Sequence, residues 1–184
     1  MRGQEAIAAS GLRMKDNRAA ARAHYAKHRA AILSAGPNAW GVDPYQWEFE
    51  ARIELSPIER LFWFDIRAQG VVLYPQYPLG PYFLDFANPA ARLAIECDGA
   101  AYHTDPQHDA ERQRAIEAIG WAVYRISGSD CYRDDELTVD LEGRSTYSVS
   151  PGRRLIRTIC ADRDIRVMRR SDAAFWNALE AAQA

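Results

Sequence analysis

Cysteine is scarce in this sequence: Cys97, Cys131 and Cys160 are the three in 184 residues, and no C-x-x-C occurs. An odd number at wide spacing argues against a disulfide framework or a structural zinc site, and it fits a reducing cytoplasm. No apolar run is long enough to span a bilayer. The N-terminus lacks the apolar stretch of a signal peptide, so no membrane partner is expected. Internal repeats and long low-complexity tracts are absent. Net charge is also low, at −2.

What is present supports one domain with appendages. Hydrophobic residues make up 48% of the chain, with five tryptophans and nine tyrosines, enough for a sizeable core. The charge is unevenly placed. Residues 1–35 carry Arg2, Arg13, Lys15, Arg18, Arg22, Lys27 and Arg29 against Glu5 and Asp16, a local balance of +5 that leaves −7 elsewhere. A basic arm on an acidic body can hold a polyanion near an otherwise repulsive site. Arg18, Arg22, Lys27 and Arg29 are its candidate nucleic-acid contacts. A solvated helix face is the plainer alternative, and self-association as a homodimer is a third role open to the arm.

The most informative stretch is 82–103, YFLDFANPAARLAIECDGAAYH. Two apolar runs flank a break at Asn88-Pro89, and each carries acids where a buried strand should have none. Strand side chains alternate with period two, so Glu96 and Asp98 share a face. A turn centred near Ala90 sets Asp85 across from Glu96, with Cβ atoms roughly 5 Å apart. Opposed carboxylates repel and need a proton or a cation to hold them. Hard divalent cations such as Mg²⁺ take carboxylate oxygens together with substrate phosphate. The alternative is a solvated strand face at a sheet edge.

Around this stretch the pattern predicts a helix over 11–35 with a weak apolar side of alanines, Met14, Tyr25, Ile32 and Leu33, ended by Gly36-Pro37. Residues 38–54 are mixed, with Trp47 and Phe49 as core candidates. Ser56-Pro57-Ile58-Glu59 spells a helix start with a capping box. Leu61, Phe62, Phe64 and Ile66 follow as its apolar side, and Gly70 stops it. Val71-Val72-Leu73-Tyr74 reads as a strand continuing through Gln76. The acidic hairpin comes next, then a helix from Thr104-Asp105-Pro106 to about Ile119 that carries Asp109 and Arg112 at i, i+3 as an ion pair. Trp121–Ile126 is a strand reached by this crossover helix, hence parallel to its predecessor. Residues 128–150 are polar and turn-rich without a clear assignment. Residues 153–162 form a helix with Leu155, Ile156 and Ile159 inward, and Ser171-Asp172 caps a final one.

The ordered pieces resemble the PD-(D/E)xK nuclease superfamily, and more closely its very-short-patch-repair-like branch, including the domain of unknown function 559. They are Ser56–Trp63, Pro78–Phe86, Leu93–Gly99, His103, Asp109 with Arg112, and Gly120–Arg125, covering about residues 55–127. The resemblance implies a restriction-endonuclease-like α/β core, a mixed sheet flanked by helices in the order αβββαβ. Residues 1–50 form a basic helical extension, 51–130 the core and 131–184 a helical C-terminal extension. It also implies metal-dependent cleavage of DNA, in repair or in the processing of mobile-element or phage DNA. Asp85 matches the metal-binding aspartate, Glu96 the acid of the D/E-x-K element, and Glu59 a helix acid at the start of the core. Asp98 stands where the wider superfamily has lysine. Asp98-Gly99 followed by a histidine is what the closer branch shows.

Cleavage of this kind needs an activated water and a neutralised leaving oxygen, which Mg²⁺ (or Mn²⁺) can supply. Asp85 and Glu96 are the expected ligands, with the Cys97 backbone carbonyl and Asp98 completing the set. His103 is a candidate general base or acid, since its unperturbed pKa lies near neutral, the alternative being a helix-entry or surface histidine. Arg112 and Arg125 are candidate phosphate contacts. A rival zinc site of Cys97, Asp98, His103 and His108 is disfavoured, because adjacent strand residues face opposite ways. A non-catalytic DNA-binding or interaction module retaining the fold is the second class of function.

Overall fold

The helix that begins the core is set by its first four residues. Ser56 accepts from the Glu59 amide, and the Glu59 carboxylate accepts from the Ser56 amide at 2.7 Å, a closed capping box with Pro57 at the first helical position. This helix, α2, runs Pro57–Gln69 and ends at Gly70, whose left-handed backbone (φ 62) suits glycine. Its buried side differs from the expected one. Phe62, Trp63 and Ile66 face the core, whereas Phe64 is 53% exposed. Trp63 stacks on Phe86, and Phe62 meets the same ring edge-on, which fixes the helix phase.

The computed structural model describes residues 2–42, 55–99 and 106–167. Trp47 and Phe49, the Thr104-Asp105 helix start and the helix expected at Ser171-Asp172 lie outside the described residues. Helix α1 (Arg2–Ala35) begins earlier than expected. Strands β1 (Tyr74–Leu79), β2 (Tyr82–Asn88) and β3 (Leu93–Asp98) follow α2, then helix α3 (Pro106–Ala118) and strand β4 (Ala122–Ser127). The sheet order is β1-β2-β3-β4, antiparallel except for the parallel β3–β4 pair. This is the αβββαβ mixed sheet flanked by helices. Val71-Val72-Leu73 is a buried lead-in rather than the start of the strand, which opens at Tyr74.

Beyond β4 come a short helix α4 (Gly128–Cys131), an exposed hairpin of β5 (Glu136–Val139) and β6 (Ser145–Ser148), and helix α5 (Pro151–Asp162). Ile156 and Ile159 point inward on α5 as expected, joined by Cys160, while Leu155 packs at the margin. Arg153 joins Asp65 of α2 at 2.8 Å and also pairs with Asp135, so α5 and the hairpin are tied to α2.

Helix α1 docks on the sheet edge. Ala21, Tyr25 and Ile32 are buried there, but Leu33 turns outward. The Tyr25 hydroxyl donates to the Pro75 carbonyl at 2.6 Å, and its ring meets Tyr74 and Tyr77 edge-on. The β2–β3 turn is pinned by buried Asn88. Its amide group donates to the Pro37 and Val72 carbonyls, and its side-chain oxygen accepts from the Ala91 amide. The turn therefore has one register, which pairs Phe86 with Ile95.

Candidate active site

One rung beyond the Phe86–Ile95 pair, the register sets Asp85 opposite Glu96. The two carboxylates rise from adjacent strands into a cleft of about 860 Å³. Strands β2 and β3 form its floor. Glu59 and Arg60 on α2 form one wall, and Asn17, Arg18 and Ala21 on α1 another. Arg112 on α3 and Arg125 on β4 close the far side.

Asp85 is half-buried and accepts a hydrogen bond from the Cys97 amide at 2.8 Å. Burial pushes its pKa well above the usual carboxylate range, and the neighbouring Glu96 and Glu59 carboxylates push it further. Glu96 is only 6% exposed. Burial raises its pKa too, opposed by Arg112 and Arg125. One Arg112 nitrogen lies 3.0 Å from both Glu96 carboxylate oxygens and also donates to the Phe83 carbonyl at 2.7 Å. Asp98, on the same face of β3 as Glu96, pairs with Arg125 at 2.7 Å, and Arg125 also donates to Gln113.

Thus Glu59, Asp85, Glu96 and Asp98 come together as the sequence suggested. His103 lies outside the described residues. Arg112 departs from the expected i, i+3 partnership: it turns to Glu96 rather than Asp109. Arg112 and Arg125 are both held by site acids, not left facing solvent as unpaired phosphate contacts. Arg18 lines the cleft and stands over the Phe83 ring. Arg22 stands over the same ring and donates to the Gly80 and Pro81 carbonyls. Lys27 is exposed farther along α1, with Arg29 beyond it.

Arg60 and Gln76 are among the cleft residues that the sequence did not point to. Arg60 sits beside Glu59, one residue along the helix, a position that the capping signature says nothing about. Gln76 reaches the cleft from β1 with a left-handed backbone (φ 48), a feature that no residue pattern announces.

Among the described residues, no three or more His, Cys, Asp or Glu side chains form a ready metal cluster. The donor chemistry nevertheless fits a hard divalent cation, since two crowded carboxylates from adjacent strands face each other in a concave site. The Cys97 thiol does not belong to that set. It hydrogen-bonds Cys131, which raises its pKa ahead of the effect of burial and keeps it protonated. Cys97 also alternates with Glu96 and Asp98 along β3 and so faces away from them, which disfavours a zinc site that joins its thiol to Asp98.

The chain is similar to several known proteins. The model of the REase_MTES_1575 family matches residues 59–141, which hold all four site acids. The uncharacterized protein YcjD of Escherichia coli is 31% identical over 107 residues, covering 55% of this chain and 92% of YcjD. An uncharacterized protein of Haemophilus influenzae is 32% identical over 94 residues, 48% of this chain and 78% of its own. Among solved structures, the catalytic domain of the homing endonuclease I-Bth0305I superposes with a TM-score of 0.36 and 16% identity. That alignment covers 41% of this chain and 80% of the domain. The chain belongs to the family of YcjD and carries, in residues 59–141, a restriction-endonuclease-like core.

Proposed function

We propose that the protein is a metal-dependent DNA endonuclease of the very-short-patch-repair-like type, acting in DNA repair or on mobile-element or phage DNA. The carrying observation is the confrontation of Asp85 and Glu96 across β2 and β3, inside a cleft walled by Arg18 and Arg60. Two crowded carboxylates with raised pKa values are poorly stable without a cation. Asp85, Glu96 and the Cys97 backbone carbonyl would hold Mg²⁺ or Mn²⁺, with Asp98 as a further ligand or a water-orienting group. A bound divalent ion supplies charge neutralisation at the phosphodiester and lowers the pKa of water.

The chain's own groups do the rest. Arg112 fixes the Glu96 carboxylate, and the Cys97 amide fixes Asp85. Glu59 adds negative charge next to Asp85 from the helix start. Arg18 and Arg60 face the space a phosphate would enter. His103 is assigned the proton transfer.

The test uses supercoiled plasmid with Mg²⁺ or Mn²⁺, beside Asp85→Asn, Glu96→Gln and an EDTA control. Nicking that needs metal and vanishes in both variants is the expected result. Equal activity in parent and variants would remove these residues from the chemistry. One observation favours a second reading, a non-catalytic DNA-binding module: Glu96 and Asp98 are each already paired with an arginine. Absence of nicking together with absence of metal binding that depends on Asp85 would favour that module.

A further inference from the structure

A second cleft, of about 610 Å³, lies on the other side of the β1–β2 turn from the acids. Its chemistry is the opposite of theirs. Arg22, Arg29 and Arg92 line it, none of its described lining residues is acidic, and the chain as a whole has a net charge of −2. Arg29 and Arg92 are exposed, and among the described residues neither has an ion-pair partner. Tyr77 and half-buried Trp121, with ring centroids 6.2 Å apart, supply aromatic surface between the arginines.

Arg92 adds an independent sign. It occupies a left-handed backbone conformation (φ 51) in the β2–β3 turn, where glycine would sit without strain. A long cationic side chain held at such a position points to a use for the side chain.

We infer that this cleft binds the DNA backbone flanking the cut, with Arg29 and Arg92 on phosphates and Trp121 against sugar or base. The inference rests on the nuclease reading above. Helix α1 joins the two clefts: Arg18 lines the acid cleft, Arg29 lines the basic one, and Arg22 lies between them. Eleven helical residues span about 16 Å, which matches about five nucleotides of one strand. The basic groove therefore engages the strand about five nucleotides from the phosphate beside Arg18. It offsets the repulsion that four clustered acids exert on a polyanion.

The test measures binding of a fluorescein-labelled 30-bp duplex across a NaCl series, in EDTA so that no cleavage competes. It compares the full-length protein, the double variant Arg29→Ala/Arg92→Gly, and Arg154→Ala, an exposed residue of α5, as a charge control. Two lost phosphate contacts should reduce the slope of log K against log salt by about two and weaken binding roughly 60-fold at 0.1 M salt. Removing the strained turn residue should leave the melting temperature no lower than that of the parent. If the parent binds and the double variant keeps its slope and affinity, the groove is not a DNA site, and the nuclease reading stands. An equal fall in Arg154→Ala would reduce the effect to net charge and overturn the groove. A parent that binds no DNA at any salt would overturn the groove, and plasmid nicking in Mg²⁺ would decide the nuclease reading separately.

Discussion

Gln76 stands opposite Asp85 on the neighbouring strand, at the one rung of the β1–β2 ladder that forms no pair. Pro75 pairs with Phe86 on one side and Tyr77 with Leu84 on the other. The backbone at Gln76 is left-handed (φ 48), which costs a non-glycine residue about 1 kcal/mol or more. Its side chain lines the acid cleft. Gln76→Gly should therefore melt no lower than the parent, yet nick plasmid about tenfold more slowly, a loss of about 1.4 kcal/mol of transition-state stabilisation. A variant with undiminished nicking would make the strain a matter of strand geometry alone.

Asp85 gives a prediction in pH and metal. Its folded pKa is raised above the unfolded value, so the fold holds that proton more tightly than the open chain does. The associated stability is present below the unfolded pKa and is lost as pH rises through the folded one. Neutral, metal-free protein should thus be less stable than Asp85→Asn. Adding Mg²⁺ or Mn²⁺ should raise the melting temperature of the parent but not of the variant, and EDTA should reverse the gain. Differential scanning fluorimetry against pH and metal concentration reads both effects. Identical curves for the two proteins would mean that Asp85 neither carries this charge strain nor binds the ion.

Arg112 is the counter-ion of a nearly buried carboxylate. Arg112→Ala leaves Glu96 without its partner and should cost roughly 2 to 3 kcal/mol, less than for a fully buried pair because Arg112 is 20% exposed. The double variant Arg112→Ala/Glu96→Gln should recover most of that loss in urea unfolding. Failure to recover would locate the cost in the Arg112–Phe83 carbonyl bond instead.

Gly152, at the start of α5, packs against α2. A Cβ there would lie 2.5 Å from an Asp65 carboxylate oxygen and 3.3 Å from the Phe62 ring. Asp65 has little freedom to retreat, since it is bonded to Ser150 and Arg153. Gly152→Ala should destabilise by about 1 to 3 kcal/mol through overpacking. Chemical denaturation measures it, and a neutral result would show that α5 can slide on α2.

The acidic floor was legible because it depends on period two and a pinned turn. Asn88-Pro89 marks the break, and simple alternation separates Glu96 and Asp98 from Cys97. The capping box was equally plain, since its signal is local. What depends on docking was hidden. Arg112 answers to Glu96 across the crossover, whereas helix spacing alone pointed to Asp109. Trp63 replaces Phe64 in the core because Phe86 selects the helix phase, and that contact is distant in sequence. The β5–β6 hairpin is exposed on both strands, so Leu137 and Val139 alternate with polar neighbours without facing a core, and that pattern is too short to separate a strand from a loop.

The sheet ends in two unlike edges. Two of the six residues of β1, Pro75 and Pro78, have no backbone N–H to donate, and α1 lies across the strand. An incoming strand would find an incomplete ladder there, so sheet-to-sheet fusion of two copies is blocked along β1. Any growth of this sheet by strand addition is consequently one-sided and must come at β4. That strand also carries Arg125 of the acid cleft, so a strand added there would lie next to the chemistry rather than behind it.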